Sequence, residues 1–98
     1  MQKNDIITYL NDHKEEFKNR FGIAKMALFG SFARNEADES SDIDLLVRYV
    51  NNPGDVYTNK RHLKKLLQEH FHRSVDIANE KCLKPYAKDD ILKDAIYV

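Results

Sequence analysis

The chain has 98 residues, 42% hydrophobic and 33% charged, which is enough for one small folded domain and too hydrophobic for a largely disordered polypeptide. Its 16 basic and 16 acidic residues cancel, so no global field draws it to nucleic acid or to an anionic membrane. It has no apolar run of about 20 residues that could cross a bilayer, and its first five residues lack the apolar stretch of a secretory signal.

The first third of the chain predicts a helix, a strand and a second, short helix. Residues 5–21 have an amphipathic helical pattern, and Gly22 is expected to end that helix. Residues 25–29 are short and apolar and lead into Gly30, as expected of a strand that enters a turn. Residues 31–37 are rich in small, helix-compatible types and predict a short helix.

The middle of the chain gives the strongest strand signal. Residues 43–50 combine β-branched and apolar types in a short run. Residues 51–54, Asn-Asn-Pro-Gly, predict a turn. Asp55 is then expected to cap a helix over residues 56–71.

The last part of the chain predicts a third strand and a last helix. Residues 73–78 have the strand pattern, and Pro85 suits the first turn of a helix. The helix is expected to extend far enough to turn four apolar side chains to the core: Ile91, Leu92, Ala95 and Ile96. The whole predicts one α/β (α+β) domain over residues 1–98, with a small mixed sheet of three to four strands flanked by helices.

Two aspartates share one face of the strongest strand. Because side chains alternate along a strand, Asp42 and Asp44 point to the same side, about 6.6 Å apart along the chain. Two ionised carboxylates on one face repel each other, and a divalent cation removes that repulsion. Magnesium takes one or two carboxylates and fills its other positions with water and phosphate oxygens. The pattern therefore predicts half of a metal site, and the alternative is a solvated strand face.

Three further residues could bind phosphate near these aspartates. Gly30 lets the backbone approach a ligand closely, and Ser31 would open a helix whose free N–H groups favour an anion. Arg34 lies one turn further and could reach phosphate oxygens with its fork of donors. The alternatives are a serine that only caps the helix and an arginine paired with Glu36 or Asp38 on the surface.

A third aspartate lies on the polar face of the next strand. Val75 and Ile77 occupy its apolar face, which leaves Asp76 on the other. If this strand lies beside the first, three carboxylates converge and could hold two cations, as in enzymes of phosphoryl transfer. The alternative is a single exposed aspartate on a half-buried strand.

These motifs resemble those of a known enzyme superfamily. Gly30-Ser31, ten intervening residues and Asp42-Ile43-Asp44 are similar to the signature of the DNA polymerase β-like nucleotidyltransferases. The short length, the Gly-Ser-x-Ala-Arg form of residues 30–34 and the ending over residues 90–98 resemble the minimal nucleotidyltransferase (MNT) branch. Asn35 stands where many relatives have Gly, and Asn tolerates the left-handed backbone well.

The resemblance implies a role for each candidate residue. Asp42 and Asp44 would bind two Mg²⁺ ions, and Asp76 would bind the catalytic one and help to deprotonate the attacking hydroxyl. The triphosphate of ATP would be held at Gly30 and Ser31 with help from Arg34. The hydroxyl would attack the α-phosphate, and pyrophosphate would leave.

The resemblance also implies a biological role. Many minimal nucleotidyltransferases are antitoxins that transfer AMP to a tyrosine of a HEPN-domain ribonuclease toxin. A cytoplasmic location follows from that role, and the lone thiol of Cys82 suits a reducing compartment. Two alternatives stay open: an antitoxin that neutralises its partner by binding alone, and nucleotidyl transfer to RNA or a small molecule. The balanced charge counts against RNA.

The remaining polar residues predict no second site. Four scattered histidines lack convincing partners for a metal, and the basic face of residues 60–65 is typical of a solvated helix. The expected strand edges and charged helix faces permit a homodimer without requiring one.

Overall fold

The computed structural model describes all 98 residues, and its helices and strands alternate along most of the chain. In chain order they are helix α1 (Lys3–Phe21), strand β1 (Ile23–Phe29), helix α2 (Gly30–Ala33), strand β2 (Ile43–Tyr49), helix α3 (Val56–Phe71), strand β3 (Val75–Asn79), a 3-10 helix (Glu80–Cys82), helix α4 (Pro85–Asp94) and strand β4 (Ile96–Tyr97).

The strands form one mixed sheet in the order β3-β2-β1-β4. Strand β1 is antiparallel to both of its neighbours, β2 and β4, whereas β2 and β3 are parallel. Parallel strands need a long crossover, and α3 supplies it between β2 and β3. The predicted mixed sheet flanked by helices is therefore confirmed.

The core lies between one face of the sheet and helices α1 and α3. The helices supply fully buried side chains such as Leu10, Phe17 and Leu63, and the strands contribute alternate residues such as Leu45. Burial of this apolar surface is the main stabilising term for a domain of this size. The opposite face of β2 holds Asp44, so the core fixes the side of the sheet on which the aspartates lie.

Two predicted helix ends are confirmed. Gly22 ends α1 in the left-handed conformation, with φ 70°. Asp55 caps α3, since its Oδ1 accepts a hydrogen bond of 3.1 Å from the N–H of Thr58. None of the helices is both long enough and apolar enough to cross a membrane.

Two predicted helices were too long. Helix α2 covers only Gly30–Ala33, and Asn35 adopts the left-handed conformation with φ 59°, which stops the helix. Helix α4 ends at Asp94, so the expectation that Ala95 and Ile96 belong to it was wrong. Ala95 is extended, and Ile96–Tyr97 pair with β1, where their β-branched and aromatic side chains suit a strand.

Candidate active site

The three aspartates predicted from the sequence lie at one end of the same sheet face. Asp44 and Asp76 are direct partners in the parallel pairing of β2 with β3. Asp42 is exposed two residues earlier, immediately before β2 begins. Asp76 is also exposed, whereas Asp44 is half-buried. The side chain at position 76 is therefore beside the 42/44 pair and outside the hydrophobic core.

The electrostatics of this site centre on Asp44. Burial raises the pKa of the Asp44 carboxyl, and the negative charges of Asp76 and then Asp42 raise it further. The positive charge of Arg34 acts in the opposite direction and is the weakest of these influences. The site thus holds more negative charge than its own residues neutralise, which is the condition that a cation relieves.

The donor set fits a hard divalent cation that shares its coordination with a substrate. Carboxylate oxygens are the protein ligands that Mg²⁺ prefers. No group of three or more His, Cys, Asp or Glu side chains is close enough to hold a metal alone. Mg²⁺ commonly takes one or two carboxylates and completes its shell with waters and phosphate oxygens, so an open arrangement of this kind is compatible with it.

Gly30 lies against the Asp44 carboxylate. Its φ of 76° is in the left-handed region, and a Cβ added to it would overlap the Asp44 Oδ2. The absence of a side chain here therefore has two causes, the backbone conformation and the space that Asp44 occupies. It also places the start of α2 directly beside the acidic site.

Ser31 follows Gly30 in α2 and is half-buried. Its backbone carbonyl accepts a hydrogen bond of 2.9 Å from the N–H of Glu36. Its hydroxyl forms no hydrogen bond within the chain, so it is available to a ligand next to Gly30.

Arg34 is held by two carboxylates. Its Nε donates to Glu36 Oε2 and its Nη1 to Asp94 Oδ2, both at 3.0 Å. Glu36 is one of the two partners predicted from the sequence. The other prediction, Asp38, was wrong, because that side chain accepts hydrogen bonds from its own loop. The Nη2 of Arg34 has no acceptor within the protein.

Arg73 was not predicted from the sequence to lie in the site region. Its Nη1 donates to the backbone carbonyls of Asp38, Glu39 and Ser41, the last at 2.7 Å. Its guanidinium also stands 5.1 Å from the ring centre of Phe32 in α2. Arg73 thus stabilises, through these hydrogen bonds, the loop that precedes Asp42. These contacts join residues more than 30 positions apart, which no local pattern reveals.

Two of the histidines considered in the sequence lie where α3 meets α1. His70 stacks on Tyr9, with ring centres 3.8 Å apart, where α3 meets α1. His13 also packs on Tyr9, with ring centres 4.2 Å apart, so these two histidines belong to an aromatic cluster between the helices.

A mixed sheet with paired acidic residues beside a Gly-Ser turn defines a phosphate-transferring class of protein, and the family comparison agrees. The family model for the nucleotidyltransferase domain matches residues 10–98, so the chain belongs to the nucleotidyltransferase family of enzymes. Protein adenylyltransferase MntA of Thermococcus cleftensis is 32% identical over 94 residues, covering 96% of this chain and 93% of the relative. A protein of Methanocaldococcus jannaschii, provisionally named protein adenylyltransferase, is 37% identical over 95 residues and covers 96% and 95%.

Solved structures share the fold. One described as a minimal nucleotidyltransferase superposes with a TM-score of 0.80 at 30% identity, covering 98% of this chain and 95% of the other, which confirms the resemblance to that branch. A toxin–antitoxin structure with AMP-PNP has a TM-score of 0.69 at 20% identity and covers 99% and 72%. A tri-AMPylated HEPN toxin of Shewanella oneidensis in complex with its MNT antitoxin gives 0.59 at 19%, covering 97% and 66%. At these lower identities the likeness concerns the fold alone.

Proposed function

We propose that this chain is a Mg²⁺-dependent protein adenylyltransferase that transfers AMP from ATP to a tyrosine hydroxyl of a HEPN-domain toxin and so acts as its antitoxin. The observation that carries the proposal is the pairing of Asp44 with Asp76 beside Asp42 and Gly30. The relatives named protein adenylyltransferase support the reaction, and the toxin–antitoxin structures that share the fold support the partner.

Each candidate residue has a role in this proposal. Asp42, Asp44 and Asp76 would hold Mg²⁺, which supplies positive charge to the phosphates when bound. Gly30 lies against the Asp44 carboxylate, and its lack of a side chain would let the triphosphate approach the backbone at the start of α2. The Ser31 hydroxyl and the Arg34 Nη2 are free donors that would hold phosphate oxygens.

The transfer balances without any further reactant. The tyrosine oxygen bonds to the α-phosphorus of ATP as the bond from that phosphorus to the bridging oxygen of pyrophosphate breaks. Pyrophosphate leaves, and the hydroxyl proton passes to the exposed Asp76 carboxylate and then to water. The protein mainly positions the reactants and stabilises charge, the two effects that dominate phosphoryl transfer.

Radiolabelled ATP tests the transfer directly. The chain is incubated with Mg²⁺ and a HEPN-domain toxin whose gene lies beside its own, once with label on the α-phosphate and once with label on the γ-phosphate. We expect label in the HEPN protein only from the α position, with the modified residue located by mass spectrometry. Asp42→Asn with Asp44→Asn should abolish it, whereas Asp12→Asn, on the exposed face of α1, should not. Retained labelling in the double variant would refute the catalytic assignment.

The same variants separate catalysis from simple binding. Neutralisation of the HEPN protein is measured at less than one equivalent of this chain with ATP. If the antitoxin acts by catalysis, the wild type should neutralise all of the HEPN protein, and the double variant should not. An antitoxin that works by covering its partner would need one equivalent and would tolerate the two substitutions.

A further inference from the structure

The contact between Arg34 and Asp94 joins two distant parts of the chain at the proposed nucleotide site. The two residues are 60 positions apart, and the Nη1 to Oδ2 distance is 3.0 Å. Asp94 is the last residue of α4, and Arg34 is the C-terminal cap of α2. Through this ion pair, α4 is attached to the segment that begins with Gly30 and Ser31.

Asp94 is placed where a carboxylate is unfavourable for its own helix. The carboxyl end of a helix carries partial negative charge, so an acidic residue in the last turn is destabilising unless a cation offsets it. Arg34 is the cation that bonds to it. The side chain of Asp94 is 26% exposed, compared with 64% for Glu36, so Asp94 is the better shielded of the two partners.

The two carboxylates restrict the side-chain conformation of Arg34. A free arginine side chain has many rotamers, and ordering it when a ligand binds weakens binding. Here Nε and Nη1 are already engaged, and Nη2 has no acceptor in the protein. Arg34 lies four residues after Gly30, which contacts the Asp44 carboxylate, and its positive charge opposes the rise in the pKa of Asp44 that burial causes.

We propose that Asp94 is a positioning residue, which fixes Arg34 so that its Nη2 meets the phosphates of the nucleotide. This inference rests on the proposed function, since it assigns a nucleotide to the site. It extends the site to α4, a helix that has no fully buried residue and contributes no candidate ligand.

A double-mutant cycle tests the proposal with the full chain, Mg²⁺ and a non-hydrolysable ATP analogue in a calorimeter. Asp94→Ala should weaken analogue binding about threefold to tenfold, and Arg34→Ala should weaken it at least as much. The double variant should bind no more weakly than Arg34→Ala alone, because Asp94 acts only through Arg34. Asp94→Glu keeps the carboxylate and should weaken analogue binding less than Asp94→Ala does.

Controls separate positioning from folding. Asp90→Ala, an exposed aspartate on the same helix that forms no hydrogen bond, should bind like the wild type. Asp94→Asn keeps the side-chain volume and should reproduce the loss with little change in Tm. Additive effects in the cycle, unchanged binding or tighter binding of Asp94→Ala would each overturn the proposal.

Failure of the Asp94 proposal can be distinguished from failure of the proposed AMP transfer. A wild-type chain that binds the analogue but labels no HEPN protein would contradict the acceptor and leave the role of Asp94 standing. A wild-type chain that binds no analogue would contradict both.

Discussion

Gly30 and Gly54 have nearly the same backbone conformation in different surroundings. Their φ angles are 76° and 78°. A Cβ at Gly30 would overlap the Asp44 carboxylate, whereas a Cβ at Gly54 would have no atom within 4 Å. The pair therefore separates the conformational role of a glycine from the need for space at the proposed active site.

Alanine substitutions at these two glycines should differ in activity more than in stability. Both changes place a side chain in the left-handed region, which costs about 1 kcal/mol of the free energy of unfolding. Gly30→Ala must also displace the Asp44 carboxylate and should lower AMP transfer by about 100-fold. Urea unfolding and the α-label assay measure the two effects. Equal activities of the two variants would show that the close approach of Gly30 to Asp44 has no role in transfer.

The sequence indicated some candidate residues better than others. Asp42 and Asp44 could be placed on one face of their strand, and Asp76 on the polar face of its own strand, because alternation along a strand is a local property. The parallel pairing that makes Asp44 and Asp76 neighbours depends on the whole topology. The contacts of Arg34 with Asp94 and of Arg73 with the loop before Asp42 are set by tertiary packing, so no spacing rule could give them.

At the scale of elements, helix α3 is the crossover that makes β2 and β3 parallel and so brings two aspartates together. Its start depends on Asp55, which accepts hydrogen bonds from both the side chain and the backbone N–H of Thr58. These hydrogen bonds, the side-chain one first, lower the pKa of the Asp55 carboxyl. The cap therefore stabilises the folded chain more when Asp55 is ionised than when it is protonated.

Removal of this cap should reduce stability in a pH-dependent way. We expect Asp55→Ala to lower the Tm by about 3 to 6 °C at neutral pH. Because the pKa is lowered on folding, the contribution is complete above the unfolded value of about 3.9 and is lost as the pH falls through the folded value. Calorimetry from pH 7 to pH 2 should show the two Tm curves converge. Curves that stay parallel in acid would contradict the ionised cap.

Helix boundaries show where local patterns fail. The start of α3 and the end of α1 were predictable, since an N-cap aspartate and a left-handed glycine are local signals. The end of α4 was not, because Ile96 continues the helical spacing of Ile91 and Leu92. What decides the conformation of Ile96 is the unpaired edge of β1, to which Ile96–Tyr97 add as a strand. A two-residue strand is specified by its neighbour and hardly at all by itself.

At the scale of the whole molecule, the charges balance while one face of the sheet remains acidic. The 16 basic and 16 acidic residues sum to zero, yet Asp44 has two aspartates near it and only Arg34 as an opposing charge. Burial first, and then those charges, raise the pKa of Asp44. The folded chain therefore holds its Asp44 proton more tightly than the unfolded chain does, and ionised Asp44 lowers the stability of the folded state near neutral pH.

Asp44→Asn should consequently stabilise the metal-free chain while abolishing transfer. After allowance for solvent screening at a half-buried site, we expect a gain of roughly 0.5 kcal/mol at pH 7. The gain should shrink as the pH falls through the folded pKa towards the unfolded one, because Asp44 then becomes neutral in both states. Urea unfolding in EDTA across this range measures it, with Asp12→Asn as the control.

Addition of Mg²⁺ and the ATP analogue should then make the wild-type chain more stable than the Asp44→Asn variant. A ligand that binds only the folded state stabilises it in proportion to the logarithm of its concentration, so the wild-type Tm should rise with the analogue. The Asp44→Asn Tm should rise much less, since the substitution removes the carboxylate that faces Gly30. Equal stabilisation of both chains would mean that the nucleotide and its cation bind without Asp44. A metal-free Asp44→Asn variant that is less stable than the wild type at pH 7 would mean that ionised Asp44 does not lower the free energy of unfolding.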